Sequence, residues 1–234
     1  MKELQVLAFF FFLSIACYAQ KDITKFLGIP VDGTKSEMIN KLKGKGYSYN
    51  IKDDLLEGEF NGYKVKIRPV TYNNKVWRIM INDAYSIDET DIKIRFNRLC
   101  RQFEKNEKYV PYIEAEQTIP DDEDISYEIL VNKKRFEAVY IQRPEAIDSV
   151  AMNEYVQSTL REIYTESQLN NPNKTFEENK EIYLNTRKAQ KEYVREIAIK
   201  KVVWFYINLS NEIGRYEITM YYDNEYNNRE GEEL

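Results

Sequence analysis

The chain is predicted to be α+β, an antiparallel sheet with helices packed on one face, arranged as three helix-then-hairpin units. Three observations point there. Apolar residues recur at helical spacing in several segments, each segment is followed by period-two alternation broken at Asn- and Gly-containing turns, and helix-capping signatures open the helical stretches. Hydrophobic residues at 43% and aromatics at 14% are enough to build a packed core, unlike the composition of a disordered chain.

The first nineteen residues read as an export signal. Lys2 precedes an apolar run from Val6 to Cys17 centred on Phe9-Phe10-Phe11-Phe12, and Cys17-Tyr18-Ala19 supplies small residues for cleavage between Ala19 and Gln20. The run is too short to span a bilayer, which takes about 20 apolar residues. A lipid anchor through Cys17 is the rival reading, although Ser14-Ile15-Ala16 departs from a leucine-led lipobox. If Cys17 leaves with the leader, Cys100 is the one cysteine remaining, so no internal disulfide can form and stability must come from burial.

Thr34-Lys35-Ser36-Glu37 forms a capping box, and Met38, Ile39 and Leu42 give the helix behind it an apolar side. Lys41, Lys43 and Lys45 lie near its negative end, and Gly44 and Gly46 turn the chain out. A hairpin follows across Asn61-Gly62, with Leu56, Phe60, Tyr63, Val65 and Ile67 on one side and Lys64, Lys66 and Arg68 on the other. Pro69 marks an edge or a bulge, and Tyr72-Asn73-Asn74-Lys75 turns into a third strand from Val76 to Ile81.

Ser86-Ile87-Asp88-Glu89 reads as a second capping box. It leads a helix through Ile92, Phe96, Leu99 and Phe103 to about Lys105. After the acidic loop 121–124, alternation of Tyr127, Ile129 and Val131, then of Phe136, Ala138 and Tyr140, predicts a second hairpin. The third unit opens with a helix carrying Met152, Val156, Leu160 and Ile163. A longer helix from Thr175 places Ile182, Thr186, Ala189, Tyr193 and Ile197 along one seam. Val202 to Leu209 is apolar on both faces, as a central strand would be, and pairs with Arg215 to Tyr222. The expected domains are 1–19 signal, 20–143 N-terminal α+β domain, 144–222 helical hairpin plus C-terminal β-hairpin, and 223–234 polar tail, with the division near Arg143-Pro144-Glu145.

Phe26-Leu27-Gly28-Ile29-Pro30-Val31-Asp32-Gly33-Thr34-Lys35-Ser36-Glu37-Met38, with the leader ending in Tyr18-Ala19-Gln20-Lys21-Asp22, and the closing Tyr222-Asp223-Asn224-Glu225-Tyr226-Asn227 resemble segments of uncharacterised exported proteins of Bacteroides-type bacteria. The resemblance covers the two ends of the chain and implies an envelope location, with no activity attached. In element order, residues 26–81 are also similar to beta-lactamase-inhibitor-protein and outer-membrane-assembly lipoprotein modules, where a Gly-containing lead-in, a short helix and a small antiparallel sheet recur.

Histidine is absent from the sequence, which removes imidazole acid–base chemistry, Ser-His and Cys-His pairs and nearly all catalytic zinc arrangements. Cys100 falls between Phe96 and Phe103 on a predicted core side, where a thiol packs rather than reacts. The run Asp121-Asp122-Glu123-Asp124 lacks the alternating ligands and turn glycine of a calcium loop, and residues 223–234 lack the same glycine and the closing carboxylate. Asp148-Ser149-Val150 matches a short O-glycosylation acceptor triplet and also a helix cap. No catalytic residue, cofactor or metal is expected. A net charge of −5 with both signs scattered argues against nucleic acid and against a polybasic membrane contact.

The compositional excess is tyrosine, 19 residues, beside 11 phenylalanines and 2 tryptophans. Alternation places Trp77 on one side of its strand with Val76 and Met80 on the other, and the final hairpin carries Trp204, Tyr206, Tyr221 and Tyr222 beyond what one buried sheet face needs; Trp77, Trp204, Tyr206 and Tyr221 form the candidate contact surface. The expectation is an exported, non-enzymatic envelope protein, periplasmic or at the cell surface, that binds a protein partner. The alternatives are a carbohydrate-binding module stacking sugars on strand aromatics, and a carboxylate-dependent hydrolase.

Overall fold

The computed structural model describes residues 22–113 and 115–228. The signal, its cleavage point at Ala19 and Gln20, and Cys17 lie outside the described residues. Among the described residues the fold is α+β: an eight-stranded, wholly antiparallel sheet accompanied by six helices. Among the described residues no helix is long and apolar enough to cross a membrane.

The chain divides into two compact units, one made of Ile23–Pro144 with the segment from Val194 onward, the other of Glu145–Tyr193. The first holds a two-stranded ribbon, β1 (Lys25–Phe26) and β2 (Ile29–Pro30), then α1 (Lys35–Lys43). The predicted capping box is present at α1: the Thr34 hydroxyl accepts from Glu37 N–H, and the Glu37 carboxylate accepts from Thr34 N–H. Strands β3 (Ser48–Asn50), β4 (Leu55–Phe60), β5 (Tyr63–Tyr72) and β6 (Lys75–Asp83) form a meander. Its turns work because Asn61, Gly62, Asn73 and Asn74 all take positive φ, which Asn and Gly tolerate best. On β4, a β-carbon at Gly58 would overlap the Tyr47 ring, so the strand needs glycine there to let Tyr47 pack across it.

Pro69 sits buried within the inner strand β5, opposite Ile79, and the register irregularity falls one step later, between Val70 and Thr71. That bulge skips Trp77 and reverses the alternation of β6, so Val76 joins the core while Met80 pairs with Arg68 on the opposite face.

Helix α2 (Glu89–Lys105) buries Ile92, Phe96, Leu99 and Phe103 as its periodicity predicts. Its cap differs from the expected box: Asp88, not Ser86, accepts the N-terminal hydrogen bond, from Asp91 N–H. Glu89 instead reaches the start of α3 (Ile125–Leu130), accepting from Ile125 N–H and the Ser126 hydroxyl. The second hairpin is absent. Tyr127, Ile129 and Val131 belong to α3 and its C-cap, because Asp124 accepts from Tyr127 N–H and starts a helical turn. The neighbours of β8 (Glu137–Gln142) are β7 (Tyr109–Pro111) and β9 (Val202–Leu209).

Strand β9 pairs with β10 (Tyr216–Asp223), and β10 pairs with β6. The sheet order is β3-β4-β5-β6-β10-β9-β8-β7, so the C-terminal hairpin lies in the middle of the sheet among strands from the N-terminal part. The expected polar tail is anchored where it begins. Asp223 and Asn224 are buried, and Asn224 donates to Val31 O while its N–H donates to Trp77 O.

Every sheet residue in the main core comes from one face, where Ile67, Ile81, Met220, Phe205 and Ala138 form one cross-strand row. Helices α1 and α2 supply Met38, Leu42, Phe96 and Phe103 to the same core. An ion pair is taken into this unit's interior: Arg95 donates to both oxygens of Asp83, each side chain only 4% exposed, and Asp83 also accepts from Ile218 N–H.

The other unit contains α4 (Ser149–Ile163), α5 (Glu166–Leu169) and α6 (Phe176–Ala198) up to Tyr193. Val156, Leu160 and Ala189 form its small core, whereas Ile163, expected in the seam, is exposed. The insertion leaves β8 after Gln142 and returns at Val202, where Ile141 and Val202 are register partners.

Candidate functional site

On the sheet face opposite α1 and α2, alternation brings Trp204, Tyr206 and Tyr221 into one cluster, and the β6 bulge adds Trp77, the fourth sequence-predicted aromatic. Trp204 and Tyr206 are two residues apart on β9, and Tyr221 is the register partner of Trp204 on β10. The rings stand nearly parallel: Trp204 to Tyr221 at 4.3 Å and 29°, Trp204 to Tyr206 at 5.6 Å and 19°, and Tyr206 to Tyr221 at 6.2 Å and 10°. Trp77 joins through Arg78, whose guanidinium lies 4.2 Å from the Trp77 ring centre, 4.4 Å from Tyr221 and 5.5 Å from Trp204. Arg135 covers the other end, 4.2 Å from Tyr206 and 5.0 Å from Trp204.

Asp223 fixes the arrangement. It accepts two hydrogen bonds from Arg78, at 2.6 and 2.7 Å, and a third from the Trp204 indole N–H at 2.8 Å. Its own side chain is only 3% exposed, and its backbone carbonyl accepts from the buried Thr24 hydroxyl. Burial, then hydrogen bonding to Tyr206, pushes the Tyr221 phenol up to about 12, with Arg78 and Arg135 drawing it partly back. Trp77, Trp204, Tyr206 and Tyr221 are all half-buried.

Alternation identifies these aromatics but misses Arg78, Arg135 and Asp223, whose roles depend on cross-strand neighbours. The adjacency of Arg78 to Trp77 and the period-two spacing from Tyr221 to Asp223 are the signals that could have found two of them.

Beside the aromatic cluster the same face is polar. Asn82 and Asn208 both donate to the Thr219 hydroxyl, at 2.8 and 2.6 Å. Next to this row is a shallow depression of about 230 Å³ whose lining includes Leu55, Lys66, Arg68, Met80, Asn82 and Glu217. Burial, followed by the field of Asp83, raises the Glu217 carboxyl above its ordinary range, with Lys66 opposing. A glycosidase-type pair needs a second available carboxylate. Asp83, which also borders the depression, has both oxygens engaged by Arg95 and Ile218 N–H.

The remaining sequence candidates find structural explanations. Burial pushes the Cys100 thiol up to about 12, far from the thiolate a nucleophile requires. In the acidic run, Asp124 caps α3, Glu123 pairs with Lys134, and the carbonyls of Asp121 and Glu123 accept from Lys93. Asp148 accepts from Val150 and Ala151 N–H as the N-cap of α4. The chain matches no protein-family model, no curated protein and no solved structure at a significant level.

Proposed function

We propose that the chain is an exported, non-enzymatic envelope protein, periplasmic or at the cell surface, which binds another protein through the sheet face opposite its helices. The observation that carries this reading is the convergence of Trp77, Trp204, Tyr206 and Tyr221 with Arg78 and Arg135 on that face. Trp, Tyr and Arg dominate the energetics of protein contacts, because each brings large apolar area with a polar handle. Held by Asp223, the cluster loses little side-chain freedom on binding. Export rests on the leader pattern of residues 1–19, and the envelope setting on the resemblance of the two ends of the chain.

The carbohydrate reading is less well supported. A sugar platform presents free ring faces, whereas here Trp204 shares its faces with Tyr221, Arg135 and Arg78. The test is affinity capture from envelope extract with tagged mature protein, run beside a glycan array. A specific protein is captured and the array stays blank. Tyr206→Ala and Arg135→Ala each reduce capture about tenfold at an unchanged unfolding midpoint. An array signal abolished by Trp204→Ala, or capture indifferent to all three substitutions, overturns the proposal.

A further inference from the structure

The depression beside the aromatic cluster carries an uneven charge pattern. In the β4–β5 register Lys64 stands opposite Glu59, and Lys66 opposite Glu57. Arg68 has no such partner across the strands: its register neighbour on β6 is Met80, and Leu55 also lines the depression. Asp54 senses Arg68 electrostatically, yet the Asp54 oxygens are held by Lys35 and Tyr49. A guanidinium thus borders an apolar floor of Leu55 and Met80, with Lys66 two residues away on the same strand face and Asn82 next to Met80 as a further polar group. The site is smaller than the roughly 300–1,000 Å³ of pockets that enclose drug-sized ligands, and suits a single residue. Met80 is also the register partner of Tyr221, so the depression and the aromatic cluster are continuous.

We propose that this depression receives the C-terminal residue of the partner chain, its carboxylate on Arg68 and Lys66 and its apolar side chain against Leu55 and Met80. Of the charges lining the depression, Asp83 is held by Arg95 and Glu217 lies in the field of Lys66, so it is the Arg68 guanidinium that selects an anion, while Leu55 and Met80 select the body that carries it. Glu217, which also lines the depression and lies in the field of Lys66, opposes the anion, so the site favours one carboxylate over a multiply charged group. The inference rests on the protein-binding reading and names the part of the partner that the same face recognises.

The test uses mature protein carrying ¹³C-methyl methionine, titrated with N-acetyl-leucine and, separately, with uncharged N-acetyl-leucinamide. The Met80 methyl resonance shifts saturably with the acid and not with the amide, while the core residues Met38 and Met220 stay still. Arg68→Ala weakens the response about fivefold, as loss of a partly exposed charge contact would. Glu217→Gln strengthens it about twofold by removing an opposing charge. No saturable shift at Met80, an equal response to the amide, or indifference to Arg68→Ala overturns the inference. Capture of a protein by the aromatic cluster with a silent Met80 sinks this inference and leaves the protein-binding reading standing. Saturable Met80 shifts without any captured protein count against the protein-binding reading and overturn the assignment of a partner's C-terminal residue as the occupant.

Discussion

Asp223 shows how one side chain can govern a surface. Its carboxylate is the acceptor for Arg78 and for the Trp204 indole, so Asp223→Ala leaves a guanidinium and an N–H without their partner in a largely buried setting. Breaking a pair of this kind costs about 3 kcal/mol, and urea unfolding of the variant is expected to show a loss of that size. A loss below about 0.5 kcal/mol, the level of an ordinary surface change, contradicts the anchoring role. The aromatics of this cluster are legible in the sequence because alternation says which residues leave the core side. Arg78 and Asp223 are not, since they meet across 145 positions of sequence and charged residues on a half-wet strand look alike until the strands are ordered.

Individual elements were legible where a local chemical device defines them. The box of Thr34 and Glu37, the Asn61-Gly62 and Asn73-Asn74 turns and the apolar side of α2 all operate within a few residues, and all are present. Two misses have different causes. Tyr127, Ile129 and Val131 alternate like a strand, but Asp124 captures the Tyr127 N–H and commits the segment to a helical turn. Strand β7 spans only Tyr109–Pro111, too few residues to show a period. Asp124→Ala is expected to cost about 1 kcal/mol, with hydrogen exchange accelerating at Tyr127 and its neighbours while the β9 amides stay protected. Unchanged exchange in α3 means that packing of Ile125, not the cap, sets this helix.

Across the whole molecule, the tyrosines make stability sensitive to alkali. Burial raises the phenols of Tyr140 and Tyr222 above their ordinary 10, and that of Tyr221 to about 12. A group whose folded-state value is raised keeps its proton longer in the folded chain, so its contribution is complete below the unfolded value and is lost as pH rises through the folded one. Urea midpoints are therefore expected to hold up to pH 10 and to fall between pH 10 and about 12. A flat profile over that window contradicts the burial of these phenols. Sheet order was the part least legible in the sequence, because nothing local in β9 or β10 reports that β6 and β8 are their outer neighbours.

That order also sets when the molecule can become whole. β9 and β10 come last among the described strands yet form the bridge between the β3–β6 half and the β7–β8 half. A polypeptide threading out N-terminus first has two unjoined flaps until those final segments emerge. Long-range closure of this kind is intrinsically slow, so the chain stays pliable while it is being made and locks only when nearly all of it has emerged.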